Sequence, residues 1–270
     1  MRPSGGGGRV TARVCAVDVC FRREDAVPPG DGAAAVAVID VLRATSTIVT
    51  ALAAEAVSVR PVDTVEEAEA LRRADPLTVL AGERALRPLP GFDYGNSPAA
   101  LLSRQVTGRR VVLATTNGTR ALAWAAATGA RVLALSLLNL GAAAALLSAE
   151  APERLLLLCA GADGQPGLDD AYVAGALLAR LLGRGGGDPG AGADPTIPRW
   201  QLTERARMAL WLFAGAERDA GPGALPALAA TDAGRRLAAS GYRADVEFCA
   251  QVDAFAVVPV LRDHALVAHE

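Results

Sequence analysis

What most constrains this 270-residue chain is its alternation of short Val- and Leu-rich runs with Ala-rich stretches of helical period. Ala35–Ile39, Arg110–Ala114, Arg131–Ser136 and Arg154–Cys159 are five or six residues each and almost wholly apolar. Strands that are apolar on both faces must be covered on both, as in a parallel sheet between helical layers. The stretches 45–55, 119–128, 139–150 and 168–182 have the length of crossover helices. The pattern predicts an α/β fold: a mostly parallel or mixed sheet with helices on both faces, three layers deep, in one or two lobes. Further strands are expected at 14–20, 57–61 and 77–81, and Thr64 with Glu67 forms a capping box opening a helix to about Ala74. A last strand at 255–261 should rejoin the sheet, because Val257, Val258 and Val260 need burial. Helices are also expected around 203–214 and 231–240.

Residues 1–12 read as a disordered Gly-rich tail, and 13–270 as the α/β domain with a Gly/Pro-rich surface loop at 183–198. Hydrophobic residues make up 51% of the chain, enough for a packed core and too many for a disordered one. The 27 basic residues, all arginine, nearly balance 29 acidic ones. A net charge of -2 leaves no broad footprint for nucleic acid or an anionic membrane, so anion recognition must be local. Four scattered cysteines without metal or redox spacing, and no bilayer-length apolar span, fit a cytoplasmic protein. A homo-oligomer is compatible with this composition.

Four polar, Gly-containing loops each follow a predicted strand: 40–46, 82–97, 115–120 and 159–170. In a parallel sheet all four emerge at the carboxyl edge, where open α/β folds bind ligands. Thr45 and Ser46, and Asn117 to Thr119, sit at helix starts, where free N–H groups attract phosphate. Each of these is also an ordinary cap or turn residue when taken alone. Arg43, Arg84 and Arg120 offer bidentate contacts to anionic oxygens. Asp40 ends an apolar strand, a costly position for a carboxylate unless it is paired, capping or metal-bound. Asp169 and Asp170 open a helix, where acidic residues are ordinary partners of the dipole.

Both histidines, His264 and His269, lie at the C-terminal end, which argues against a histidine nucleophile or a Ser-His-Asp triad. Cys159 lacks the arginine of C-x₅-R chemistry, since Gln165 stands there, and Asp40-Val41-Leu42 lacks the second aspartate of a D-x-D motif. Metal-assisted attack by water remains, with arginines and amides stabilising phosphoryl charge.

These loops resemble the 2-phosphosulfolactate phosphatase family. The resemblance rests on Val38 to Ser46, Gly82-Glu83-Arg84, Gly91 to Pro98, Thr115 to Leu122 and Cys159-Ala160-Gly161, with Asp245 to Asp253 and Val257 to Val260 near the end. It implies magnesium-dependent hydrolysis of (2R)-2-phospho-3-sulfolactate to 3-sulfolactate and phosphate, a step of coenzyme M biosynthesis in methanogens. Placed on the matching positions, residue chemistry gives Asp40, Arg43, Glu83, Arg84 and Asn117 as catalytic candidates. Thr45, Ser46, Asn96, Ser97, Thr116, Gly118, Thr119 and Gly161 become substrate-binding candidates, and Asp40, Glu83 and Asp93 candidate Mg²⁺ ligands. The expected partner is a small phosphorylated or sulfonated acid. The loop after Cys159 departs from the family pattern, with Gln165 and Gly167 in place of an arginine and a serine, and Ala233-Gly234 replaces a His-Gly pair. A degenerate anion-binding member and a phosphoryl or sugar-phosphate transferase are the alternative functions.

Overall fold

The computed structural model describes residues 13–28, 34–102, 105–184, 198–219 and 223–269. The tail 1–12 lies outside them, as do residues 185–197 of the Gly/Pro-rich loop; residues 183 and 184 continue a helix instead.

Eleven strands form one mixed sheet among the described residues. A long parallel block has β2 (Ala34–Ile39) at its centre, between β7 (Arg131–Leu135) and β8 (Arg154–Cys159). It continues from β8 through β1 (Val14–Cys20) to β9 (Arg199–Leu202). A shorter parallel block holds β3 (Ser58–Val62), β6 (Arg110–Ala114) and β4 (Val79–Arg84), edged by antiparallel β5 (Arg87–Pro88). The C-terminal hairpin of β10 (Pro259–Arg262) and β11 (Ala265–Ala268) lies between the blocks. Each hairpin strand meets its block at one residue pair, Val260 with Leu133 and Leu266 with Val59.

Crossing this seam reverses strand direction three times, so the two parallel blocks run in opposite senses. One shared carboxyl edge, as the sequence suggests, is therefore replaced by two edges of opposite polarity. The last strand starts at Pro259 and is followed by a second, because Asp263 and His264 take left-handed backbone and turn the chain back.

Side-chain alternation assigns the layers. Val36 and Val38 face one core, while Ala35, Ala37 and Ile39 face another. In the first core lie α1 (Ala44–Ala53) and α3 (Gly118–Ala126), whose Ile48, Ala51, Leu122 and Ala125 also meet Val59, Val111 and Leu113 of the short block. These two helices are thus shared by both blocks. The outer face of the short block is covered by α2 (Val65–Ala74), capped by Thr64 accepting from Glu67 N at 3.1 Å. The other face of the long block carries α4 (Leu140–Glu150), α5 (Leu168–Arg184) and α6 (Glu204–Asp219), then α7 (Ala224–Ala229), α8 (Asp232–Ala239) and α9 (Arg243–Cys249). No described helix is long and apolar enough to cross a membrane.

Helices α5 and α6 pack closely. A Cβ added at Gly175 would lie 2.2 Å from the Ala209 carbonyl oxygen and 2.5 Å from Phe213 Cβ. In an exposed helix Gly→Ala gains about 1 kcal/mol, but backbone cannot yield here and overpacking costs about 1–3 kcal/mol. Gly175→Ala is expected to lower unfolding free energy in urea titration. A gain in stability would show that α5 and α6 do not approach this closely.

Candidate active site

A cavity of about 280 Å³ opens where the loops after β2, β4, β6 and β8 meet, roofed by α8. Asp40, Arg43, Glu83, Asn96, Thr116, Asn117 and Gly161 all line it. The four polar loops converge as their sequence suggests, but they do so from both blocks of the sheet.

Asp40 is the pivot. It leaves β2 just before α1, and its Oδ1 accepts from Ala44 N at 3.2 Å, while the Gly118 N–H at the start of α3 also bonds the carboxylate. The N-termini of the two shared helices thus close on one carboxylate. Gly118 is required by that approach: a Cβ there would stand 2.5 Å from Ala44 Cβ and 2.7 Å from Asp40 Oδ2. The anion at these helix starts is Asp40 itself, which takes one amide from each. Thr45 Oγ1 donates to the Asp40 carbonyl at 2.9 Å, and Ser46 Oγ donates to the Val41 carbonyl at 2.8 Å. Both hydroxyls are buried braces of this turn and lie outside the cavity lining.

Glu83 approaches from the end of β4. Its Oε2 accepts from Leu86 N at 2.8 Å, and its Oε1 accepts from Thr116 N at 3.3 Å and Thr116 Oγ1 at 3.2 Å. Ala85 and Leu86 both have positive φ, 50° and 65°, in the two-residue turn joining β4 to β5. Left-handed backbone at two non-glycine residues costs about 1–3 kcal/mol each, and the bonds to Glu83 help to hold it.

Asp169 and Asp170, at the start of α5, complete an acidic wall. Asp170 Oδ1 accepts from Val41 N at 2.9 Å and Oδ2 from Gly161 N at 3.2 Å, tying the β2 loop to the β8 loop. Burial pushes the Asp40 carboxyl up to about 6, with Asp169 and Glu83 adding repulsion and the Ala44 and Gly118 amides opposing it. A helix terminus contributes about 0.3–2 kcal/mol and desolvating a charge costs several, so burial wins. Asp169 rises to about 6 by burial, opposed by backbone bonds and by Arg236; Asp170 rises further, through burial and its two neighbours.

The cationic side is thin. Among the cavity-lining residues five are carboxylates and two are arginines, Arg43 and Arg236. Arg43 is 3% exposed, bonds Asp245 Oδ2 at 2.5 Å and stacks 4.5 Å over the Tyr242 ring. The other Asp245 oxygen accepts from Ser97 Oγ at 2.5 Å, which keeps Ser97 out of the cavity. Arg236 Nη1 meets only the exposed Asp163 Oδ2, at 3.1 Å.

Three other candidates lie elsewhere. Arg84 turns away to the Asp63 and Glu83 carbonyls, at 2.5 and 2.9 Å. Asp93 is held by Arg72 and by Leu80 N, behind the β4 wall, so it cannot join Asp40 and Glu83 around one ion. Thr119 Oγ1 donates to the Thr115 carbonyl at 2.9 Å inside its own helix turn. Of the two positions where the loop departs from the family pattern, Gln165 is exposed outside the main cavity and Gly167 lines it. The sequence undervalued Asp169, Asp170 and Arg236, which look like ordinary helix-terminal charges.

No cluster of three or more His, Cys, Asp or Glu among the described residues forms a metal site by itself. Magnesium does not require one, since one or two carboxylates with water and phosphate oxygens suffice. The cavity walls also carry Asn96 Oδ1 and Thr115 Oγ1, buried oxygens without a hydrogen-bond partner. Unpaired buried oxygens beside crowded carboxylates fit a hydrated hard cation.

A family model described as 2-phosphosulpholactate phosphatase matches residues 22–264. A probable 2-phosphosulfolactate phosphatase of Thermus thermophilus is 43% identical over 227 residues, covering 84% of this chain and 87% of the relative. A relative of the same description from Deinococcus radiodurans is 39% identical over 239 residues, 88% and 92% of the two chains. Another, from Thermotoga maritima, is 35% identical over 233 residues, 86% and 91%.

The raised carboxyls carry a stability signature. Asp40 and Asp169 keep their protons to higher pH when folded than when unfolded. Between about pH 4 and 6 the folded state therefore binds more protons, and its stability falls as pH rises through that window. Asp169→Asn removes one contributor. Relative to the parent, the variant should gain about 1–3 kcal/mol on going from pH 4 to pH 8, read by urea denaturation. Hydrogen bonds altered equally at both pH values cancel in this double difference. A gap that stays constant with pH would refute the shifted proton.

Proposed function

The chain belongs to the 2-phosphosulfolactate phosphatase family, and from that premise we propose that it is a phosphoric monoester hydrolase using magnesium to release phosphate from (2R)-2-phospho-3-sulfolactate. The supporting observation is the crowding of Asp40, Glu83 and Asp169 around a cavity whose buried arginine is already neutralised by Asp245. A phosphate dianion meets net repulsion at such a wall unless a cation accompanies it.

Asp40, Asp169 and Glu83 are the residues that would hold the ion. Bound there, magnesium supplies the charge that draws phosphate in and stabilises its oxygens as the P–O bond breaks. The chain's own groups orient and move protons. Asn117, at the mouth of α3, offers its side-chain amide to a phosphoryl oxygen. A water molecule attacks phosphorus and the bond to the C2 oxygen breaks. The attacking water gives up a proton to a cavity carboxylate, and the leaving oxygen takes one from a carboxyl. The acidic walls and the bonds that fix Asp40 and Glu83 limit motion of the reacting groups.

Phosphate release from phosphosulfolactate should require Mg²⁺, stop on chelation, and fall at least about 100-fold in Asp40→Asn. Circular dichroism should show that variant folded. Magnesium should also raise the melting temperature of the parent above pH 6 and much less below pH 5, where Asp40 and Asp169 hold protons. Full turnover by Asp40→Asn, or by chelated enzyme, would overturn the proposal.

A further inference from the structure

Of the two arginines that line the cavity, Arg236 is the one whose ion-pair partner is exposed and exchangeable. Arg43 is buried, bonded to Asp245 and stacked on Tyr242. Arg236 projects from α8, the cavity roof, facing the acidic wall of Asp40 and Asp169. Its side chain is 53% exposed, and its partner Asp163, in the turn of the β8 loop, is 77% exposed. An ion pair so exposed contributes little and is readily exchanged for a ligand anion. Arg236, Ala233 and Asp163 also line an adjoining cavity along the 162–169 loop, so Arg236 stands where the two spaces join.

We infer that Arg236 binds the anionic group of the substrate that lies away from the phosphate, exchanging Asp163 for it, and so selects phosphorylated acids over simple phosphate esters. The inference rests on the phosphatase reading above and adds a specificity residue to it. The charge layout requires such a division: the carboxylate wall repels every anionic group except the one carried by a cation. In phosphosulfolactate the second group is a carboxylate or sulfonate, either of which a guanidinium bonds with two parallel N–H donors. Arg235, next along α8, is directed instead to Asp232 at 2.5 Å and to the Ala230 carbonyl, and lies outside the main cavity.

The test compares parent, Arg236→Ala, Arg236→Lys and Arg235→Ala. Each is assayed for phosphate release from phosphosulfolactate and from 2-phospholactate, which lacks the sulfonate, and from ethyl phosphate, which lacks both further anions. Binding of 3-sulfolactate is measured by calorimetry with magnesium present. In Arg236→Ala, KM for phosphosulfolactate should rise about 10- to 100-fold with little change in kcat. Its preference over ethyl phosphate should collapse by the same factor. Sulfolactate binding should weaken in step, with partial rescue by lysine. Arg235→Ala should keep the parental preference and so report on damage to α8. If the parent releases phosphate from none of the esters but binds sulfolactate through Arg236, the hydrolase reading fails and this inference stands. If Arg236→Ala keeps both substrate preference and sulfolactate affinity, the inference is overturned whatever the parent hydrolyses.

Discussion

The structure turns on a carboxylate held between two helix N-termini. Asp40 takes the amides of Ala44 and Gly118, one from each helix shared by the two sheet blocks. Removing any part disturbs the others. A side chain at position 118 would strike both Asp40 and Ala44, and without the carboxylate two helix ends would face each other with unpaired amides. The contact therefore joins the blocks at the site, where the sheet itself does so only through single pairs to the C-terminal hairpin.

The helices α1 and α3, shared by both blocks, explain why the cavity draws on residues so distant in sequence. In one parallel block, the loops after the strands crowd a single edge and a crevice forms where strand order reverses. Here two blocks share α1 and α3, and the loops of one meet the loops of the other across those helix starts. Asp40 and Asp170 belong to the long block, Glu83 and Thr116 to the short one. The cavity between them takes its walls from both halves, with carboxylates on the sheet side and Arg236 on the helical roof.

Much of this was legible in the chain because local patterns and tertiary demands agreed. Doubly apolar runs marked the central strands, and Thr64 with Glu67 marked a helix start that the structure keeps. The polarity reversal was not legible. It depends on where the C-terminal hairpin, β10 and β11, inserts, and the second hairpin strand has no turn signal beyond Asp263-His264. Two tight turns at the site make the same contrast. Asp163-Gly164 is a readable left-handed pair, bonded across from Ala162 to Gln165. Ala85-Leu86 takes the same backbone with residues that seldom adopt it, and no propensity rule finds it. Arg84 and Asp93 looked equivalent to Glu83 in sequence. Strand alternation and a competing arginine send them elsewhere.

The acidic cluster is also informative as an expense. Burying one charged carboxylate costs several kcal/mol, against a total stability of about 5–15 kcal/mol for a whole protein. Asp169 and Asp170 are buried within one wall, with Glu83 beside them and Asp40 partly buried at the cavity. Hydrogen bonds offset part of this, yet an apolar wall of the same volume would fold more firmly. Three aspartyl groups with raised carboxyls and two unpaired oxygens make poor architecture without a ligand. They make good sense if, as proposed, a cation and a phosphate bind there together. On that view the instability belongs to the same design as the binding: the repulsion that weakens the free protein is the force that the cation neutralises.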